Sequence, residues 1–150
     1  MRDVVCRQAA ASEREALEAL QWRASLANEG NREALLANPD AIALSLNQIL
    51  AGQVFVAERA GVTLGFAAIL PREDGATELD GLFVEPDVWK QGVGRLLVEH
   101  CAAAARAGGS AALHVVGNPH AEGFYQACGF VRMGTVQTRF GVALSLRRML

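Results

Sequence analysis

The apolar and polar positions of the chain fall into two textures. Through the first third, apolar residues recur at helical spacing. Ser12 stands three residues before Glu15, a capping-box spacing, and Leu17, Leu20, Ala24 and Ala27 follow on one face as far as Asn28-Glu29-Gly30. Asn38-Pro39 predicts a second helix start, with asparagine as cap and proline in the first helical position. Its stripe is Ile42, Leu46, Ile49 and Leu50, ending at Gly52. Ahead of both helices, Asp3 to Gln8 reads as a short strand.

From Gln53 the texture turns β-branched and aromatic. Val54 to Ala57 and Val62 to Leu70 flank a turn at Arg59-Ala60-Gly61, which predicts a hairpin. After a turn at Pro71 to Gly75, Thr77 to Val84 predicts a third antiparallel strand. Strict alternation there puts Glu78, Asp80, Leu82 and Val84 on one face and Leu79, Gly81 and Phe83 on the other. A loop from Glu85 to Gln91 leads to a helix with Val93, Leu96, Leu97, Cys101 and Ala104 on one side, closed by Gly108-Gly109. Ala111 to Val116 then reads as strand, Pro119 to Cys128 as helix, and Phe130 to Val136 with Phe140 to Leu146 as a closing pair. Hairpins join the middle strands and helices connect only the later ones. The expected fold is therefore α/β with a mixed, mostly antiparallel sheet and helices on both faces, in one domain over residues 1–150.

Composition narrows the function classes. A net charge of −2 and pI near 5.9 leave no electrostatic footprint for nucleic acid or an anionic membrane, so neither is expected as a partner. No apolar run approaches the roughly 18 residues that span a bilayer, and the segment from Met1 to Arg7 has no apolar stretch of leader length. A cytoplasmic location is expected. Cys6, Cys101 and Cys128 are widely spaced and read as reduced thiols. With His100, His114 and His120 they make no metal-ligand spacing, so no metal is expected.

The segment with the most chemistry runs from Glu85 to Leu97, between a strand and a helix. Glycines in the opening turn of a helix let backbone amides approach a ligand, and those amides with the helix dipole favour phosphate. Gly92 and Gly94 fit such a cradle, and they fit equally a helix that merely begins with a Gly-x-Gly turn. A dinucleotide fingerprint fails because its third small residue falls on Leu97, and a Walker loop fails for want of Gly-Lys-Ser/Thr.

Three pieces together resemble a known family. They are Leu79-Asp80-Gly81-Leu82-Phe83-Val84-Glu85-Pro86, Gln91-Gly92-Val93-Gly94-Arg95-Leu96-Leu97, and Asn118 to Phe130 with Phe124-Tyr125 at its centre. They are similar to the acyl-CoA signature and second conserved block of the GNAT superfamily of N-acetyltransferases. One departure is visible: the family signature usually carries Arg or Gln, and often Gly, where this chain has Trp89 and Lys90.

The resemblance implies acetyl-CoA as co-substrate. Its pyrophosphate would lie on the amides of Gln91, Gly92, Val93, Gly94 and Arg95, with Lys90 and Arg95 as nearby cations. The pantetheine arm would pair with Leu82, Phe83 and Val84, where a backbone amide could polarise the thioester carbonyl. Asn118 would meet the arm; the same residue suits a helix cap before Pro119. Tyr125 falls where the family protonates the departing thiolate, and equally suits an amphipathic core position beside Phe124.

An alkylamine is mostly ammonium at neutral pH, so a base is needed. Glu78, 14 positions before Gly92, matches a catalytic carboxylate of some family members, with Asp80 next in order; both could instead bind a cationic substrate or form salt bridges. His114 and His120 are set aside as bystanders. The activity implied is direct acetyl transfer to a small-molecule or peptide amine, since no cysteine sits in a nucleophile context. Transfer of a longer acyl group, or a non-catalytic acyl-CoA-binding module, are the alternatives. Trp22 and Leu35 to Leu50 would border the acceptor, and the edge of the final hairpin is where a homodimer could pair.

Overall fold

The structure, a computed structural model, describes residues 3–150; Met1 and Arg2, part of the stretch read above for a leader, lie outside the described residues. Among the described residues seven strands form one sheet in the order β1-β2-β3-β4-β5-β7-β6. They are β1 Val4–Gln8, β2 Val54–Arg59, β3 Val62–Pro71, β4 Thr77–Val84, β5 Ala112–Gly117, β6 Val131–Thr138 and β7 Gly141–Met149. Every pairing is antiparallel except β4 with β5. The mixed, mostly antiparallel sheet expected from the pattern is the one found.

Two apolar layers hold it. Phe55 and Ala57 of β2 face α4 (Val93–Ala107), whose Val93, Leu97, Val98, Cys101, Ala102 and Ala105 are buried. Val54 and Val56 face the other way, onto Leu17 and Leu20 of α1 (Arg14–Ala27) and Ile49 of α3 (Leu46–Leu50). Burial on both faces is why β2 lacks polar alternation and reads as a continuous apolar run. Among the described residues no helix is long and apolar enough to cross a membrane.

The first third departs from the pattern in three ways. The entry to α1 is a 3-10 turn, Ala11–Glu13, in which the Glu13 carboxylate accepts the Ala10 N–H at 2.8 Å and two bonds from Arg7, both 2.8 Å. Glu13, held by a neighbouring strand, takes the place expected for the Ser12–Glu15 pair. The chain forms a helix the pattern did not predict, α2 (Glu29–Ala37), and then, instead of one helix from Asn38 to Gly52, a 3-10 turn at Pro39–Ala41 and the single-turn α3, capped by Ser45 Oγ accepting from Gln48 N–H. Of the expected stripe only Ile49 is buried, while Leu46 and Leu50 are exposed.

The alternation of β4 is also broken. The β3–β4 register passes from Ala68↔Gly81 to Ile69↔Leu79, leaving Asp80 as an extra residue. This bulge puts Leu79 on the α4 face with Leu82 and Val84, while Phe83 packs against Phe66 on the α1 face with ring centroids 5.3 Å apart. Glu78 and Asp80 therefore do not share a face with Leu82 and Val84, because a bulge places two residues where alternation allows one.

Candidate active site

The bulge lies where the sheet opens. β4 and β5 pair only over Thr77–Leu79 and Leu113–Val115. Beyond Leu79, β4 keeps β3 as its neighbour through Val84↔Gly65, whereas β5 runs on beside β7 through Gly117↔Leu144. The stretch from Gly81 to Val84 thus presents one backbone edge to a gap, the kind of edge an extended ligand can pair with.

Across that gap stands α5 (Glu122–Ala127). Its Tyr125 is buried, edge-to-face with Phe124 and Phe130 at centroid distances of 5.2 and 5.5 Å. A Cβ on Gly117 would come within 2.8 Å of Tyr125 Cε2, so the bare glycine backbone of β5 is what seats the ring. Burial pushes the phenol up to about 12, which keeps Tyr125 protonated, and therefore a proton donor, throughout the neutral and mildly alkaline range.

The gap forms a cavity of about 440 Å³ walled by Leu82, Phe83, Val84, Lys90, Val93, Gly94 and Tyr125. Seven residues singled out in the sequence thus meet in one place. Gly92 caps α4 with φ +90°, a conformation few side chains tolerate, and Lys90 carries φ +63° two residues earlier. The first 4-residue helical bond of α4 runs from Leu96 N–H to the Gly92 carbonyl at 3.0 Å, so the amides of residues 93–95 precede it and have no partner within the helix. Gln91, Gly92 and Arg95 are exposed at the same helix end, outside the cavity wall. Phe124 lies 3.1 Å from where a Gly94 Cβ would be, so this glycine makes room for a ring of α5.

A second cavity of about 350 Å³ adjoins the first, and Ser25 and Phe83 line both. Asn118 belongs to this second wall; its side-chain oxygen also accepts the His120 N–H at 2.9 Å, so it does cap the turn at Pro119–Ala121. Leu35, Ala41 and Ile42, from the stretch expected to border the acceptor, line it together with Gln21 and Ser25 of α1; Trp22 does not.

Glu78 and Asp80 line neither cavity. Glu78 sits in the paired part of β4 opposite His114, 3.5 Å from Arg72. Burial raises its pKa, partly offset by Arg72, and its buried Oε2 receives no hydrogen bond from the protein. Asp80 is exposed, 3.5 Å from the Gln48 amide nitrogen.

Sequence reasoning missed several cavity residues. His120, set aside as a bystander, lines the first cavity, as do Asn28 and Trp89. The Trp89 indole N–H donates to the Val84 carbonyl at 2.7 Å. Trp89 was visible only as a departure from a signature; nothing in the spacing told which carbonyl it would reach. Burial raises all three thiols, Cys101 to about 12, so none is an activated nucleophile.

Residues 51–132 match the family model of the acetyltransferase (GNAT) domain. No curated protein matches the chain. Among solved structures it is similar to a GCN5-related N-acetyltransferase from Rhodopseudomonas palustris, at 24% identity over 100% of this chain and 98% of that one, TM-score 0.79. PaiA N-acetyltransferase from Thermoplasma acidophilum, solved with coenzyme A, is 16% identical over 98% and 99% of the two chains, TM-score 0.77. YncA from Salmonella typhimurium, solved with acetyl-CoA, is 18% identical over 98% and 94%, TM-score 0.74. These likenesses show the fold, and the domain match covers more than half of the chain. The chain belongs to the GNAT acetyltransferase family.

Proposed function

We propose that the protein transfers an acetyl group directly from acetyl-CoA to an amine, with the thioester arm lying along the open edge of β4. The observation that carries this reading is the loss of β4–β5 pairing after Leu79, opposite a buried, protonated Tyr125. The residues present fit such an arm. Leu82, Phe83 and Val84 offer a strand edge, and the amides at the start of α4 suit a pyrophosphate, with Lys90 beside them and Arg95 at the exposed helix end.

In this reading a backbone amide of residues 82–84 stabilises the charge that grows on the carbonyl oxygen as the amine nitrogen attacks. The C–S bond then breaks, and Tyr125 gives its phenolic proton to the departing thiolate. The proton released by the attacking amine passes through water to Glu78. Support for that role comes from its raised pKa and its buried, unpartnered Oε2; Asp80 is the second carboxylate toward the same side. The amine approaches from the second cavity, which shares Phe83 and Ser25 with the first.

The test is release of free CoA thiol from acetyl-CoA in the presence of an amine panel. The reading expects amine-dependent release that falls in Tyr125→Phe and Glu78→Gln. Undiminished release in both would remove these two assignments.

A further inference from the structure

The second cavity carries information about the acceptor that the family likeness does not. Its apolar walls include Leu35, Ile42, Phe83, Val116, Phe140 and Val142, from α2, the segment after it, β4, β5, the β6–β7 turn and β7. The polar groups among them are neutral: Gln21, Ser25, Asn118 and Thr138. Among the described residues no carboxylate lines the cavity.

Two acids on segments that contribute to the wall are already engaged. Asp40 pairs with Arg139 of the β6–β7 turn at 3.3 Å, and the same guanidinium donates to Asn38 Oδ1 at 2.9 Å. Glu18 accepts the Leu44 N–H at 2.9 Å. Glu78 and Asp80 are outside the wall. A second ammonium group carried into this space would lose water and gain no counter-charge. An apolar body instead gains in proportion to the surface it buries. Apolar walls also favour the neutral amine over the ammonium, and the neutral form is the nucleophile. The volume, about 350 Å³, compares with the roughly 150 Å³ that accommodates benzene in an engineered cavity, so an aryl or alkyl body with its amine fits.

We propose that the acceptor is a primary amine on an apolar aliphatic or aromatic body bearing a single positive charge, and that polyamines and aminoglycosides are poor acceptors. The proposal rests on the acetyl-transfer reading above, and its test separates the two.

Hexylamine and 1,6-diaminohexane differ in one distal ammonium, and 2-phenylethylamine and spermidine extend the comparison. Acetyl-CoA binding is first read as a rise in melting temperature; kcat/KM for each amine is then read by thiol release. Wild type should prefer hexylamine over the diamine by about tenfold or more, a discrimination of about 1.4 kcal/mol. Val142→Asp places a carboxylate in the wall and should narrow or invert that ratio, while the near-isosteric Val142→Asn leaves it in place. Equal or better use of the diamine by wild type would overturn the proposal, as would a ratio unmoved by Val142→Asp, or no apolar amine consumed although acetyl-CoA binds. If acetyl-CoA fails to bind, the activity reading falls instead. Direct titration of hexylamine against the diamine into the protein alone then decides the cavity, tighter hexylamine supporting it and equal binding overturning it.

Discussion

The indole N–H of Trp89 donates to the carbonyl of Val84 at 2.7 Å, so a side chain from the loop before α4 occupies the end of β4's open edge. An arm pairing along that edge competes with the indole for the carbonyl. Titration with acetyl-CoA should therefore change tryptophan fluorescence. Trp89→Phe should abolish most of the change, leaving Trp22 as the residual signal, while retaining affinity by calorimetry. A full signal in Trp89→Phe would place the change elsewhere.

Tyr125→Phe removes the proposed proton donor and keeps the packing against Phe124 and Phe130. We expect kcat to fall by about 100-fold or more, in the range for general acid catalysis, with KM for acetyl-CoA little changed. Steady-state kinetics would separate this from a packing role, which would lower the melting temperature instead.

Gly117→Ala tests the seat of that ring. Its methyl would meet Tyr125 Cε2 at 2.8 Å, so the ring must shift. Overpacking of this kind costs about 1–3 kcal/mol, readable by denaturant titration, and kcat should fall toward the Tyr125→Phe value.

Glu78 gives a signed pH prediction. Its folded pKa is raised, chiefly by burial, so the stability linked to its protonation is present below about 4.5 and is lost as pH rises through the folded value. Glu78→Gln should therefore melt higher than wild type at pH 7, with the advantage shrinking toward pH 4, while turnover falls. A variant that melts lower at pH 7 would make Arg72–Glu78 a stabilising ion pair instead.

Alkaline unfolding follows from two buried acids. Tyr125 and Cys101 both move up to about 12 on burial, above unfolded values near 10 and 8.5. Their neutral forms stabilise the fold below pH 8.5, and that contribution is lost as pH rises toward 12. Melting temperatures from pH 8 to 11.5 should fall over that range, and Cys101→Ala, though less stable overall, should fall less steeply.

The strands, α4 and the glycine turn were legible because each depends on local spacing: β4 begins and ends at Thr77 and Val84 as the pattern predicts. The shortness of α3 was not, because exposed Leu46 and Leu50 mimic a helical stripe that the packing of Ile49 alone satisfies, and α2 was not read at all. The bulge at Asp80 was also hidden, since it is a property of the β3–β4 register and leaves the alternating letters of β4 unchanged. That one-residue shift is what separated Glu78 and Asp80 from Leu82 and Val84. His120 and Trp89 reached the cavity through the turn at Asn118 and the loop after Val84, where no period exists to read.

The most direct test is the melting temperature with saturating acetyl-CoA, beside NAD as a pyrophosphate-bearing control. At 100 times the dissociation constant, binding adds about 2.7 kcal/mol, which for a chain of this size raises the melting temperature by about 5–10 °C. The account predicts that rise with acetyl-CoA and little or none with NAD. No rise with acetyl-CoA, or an equal rise with NAD, would contradict a thioester arm lying along the open edge of β4.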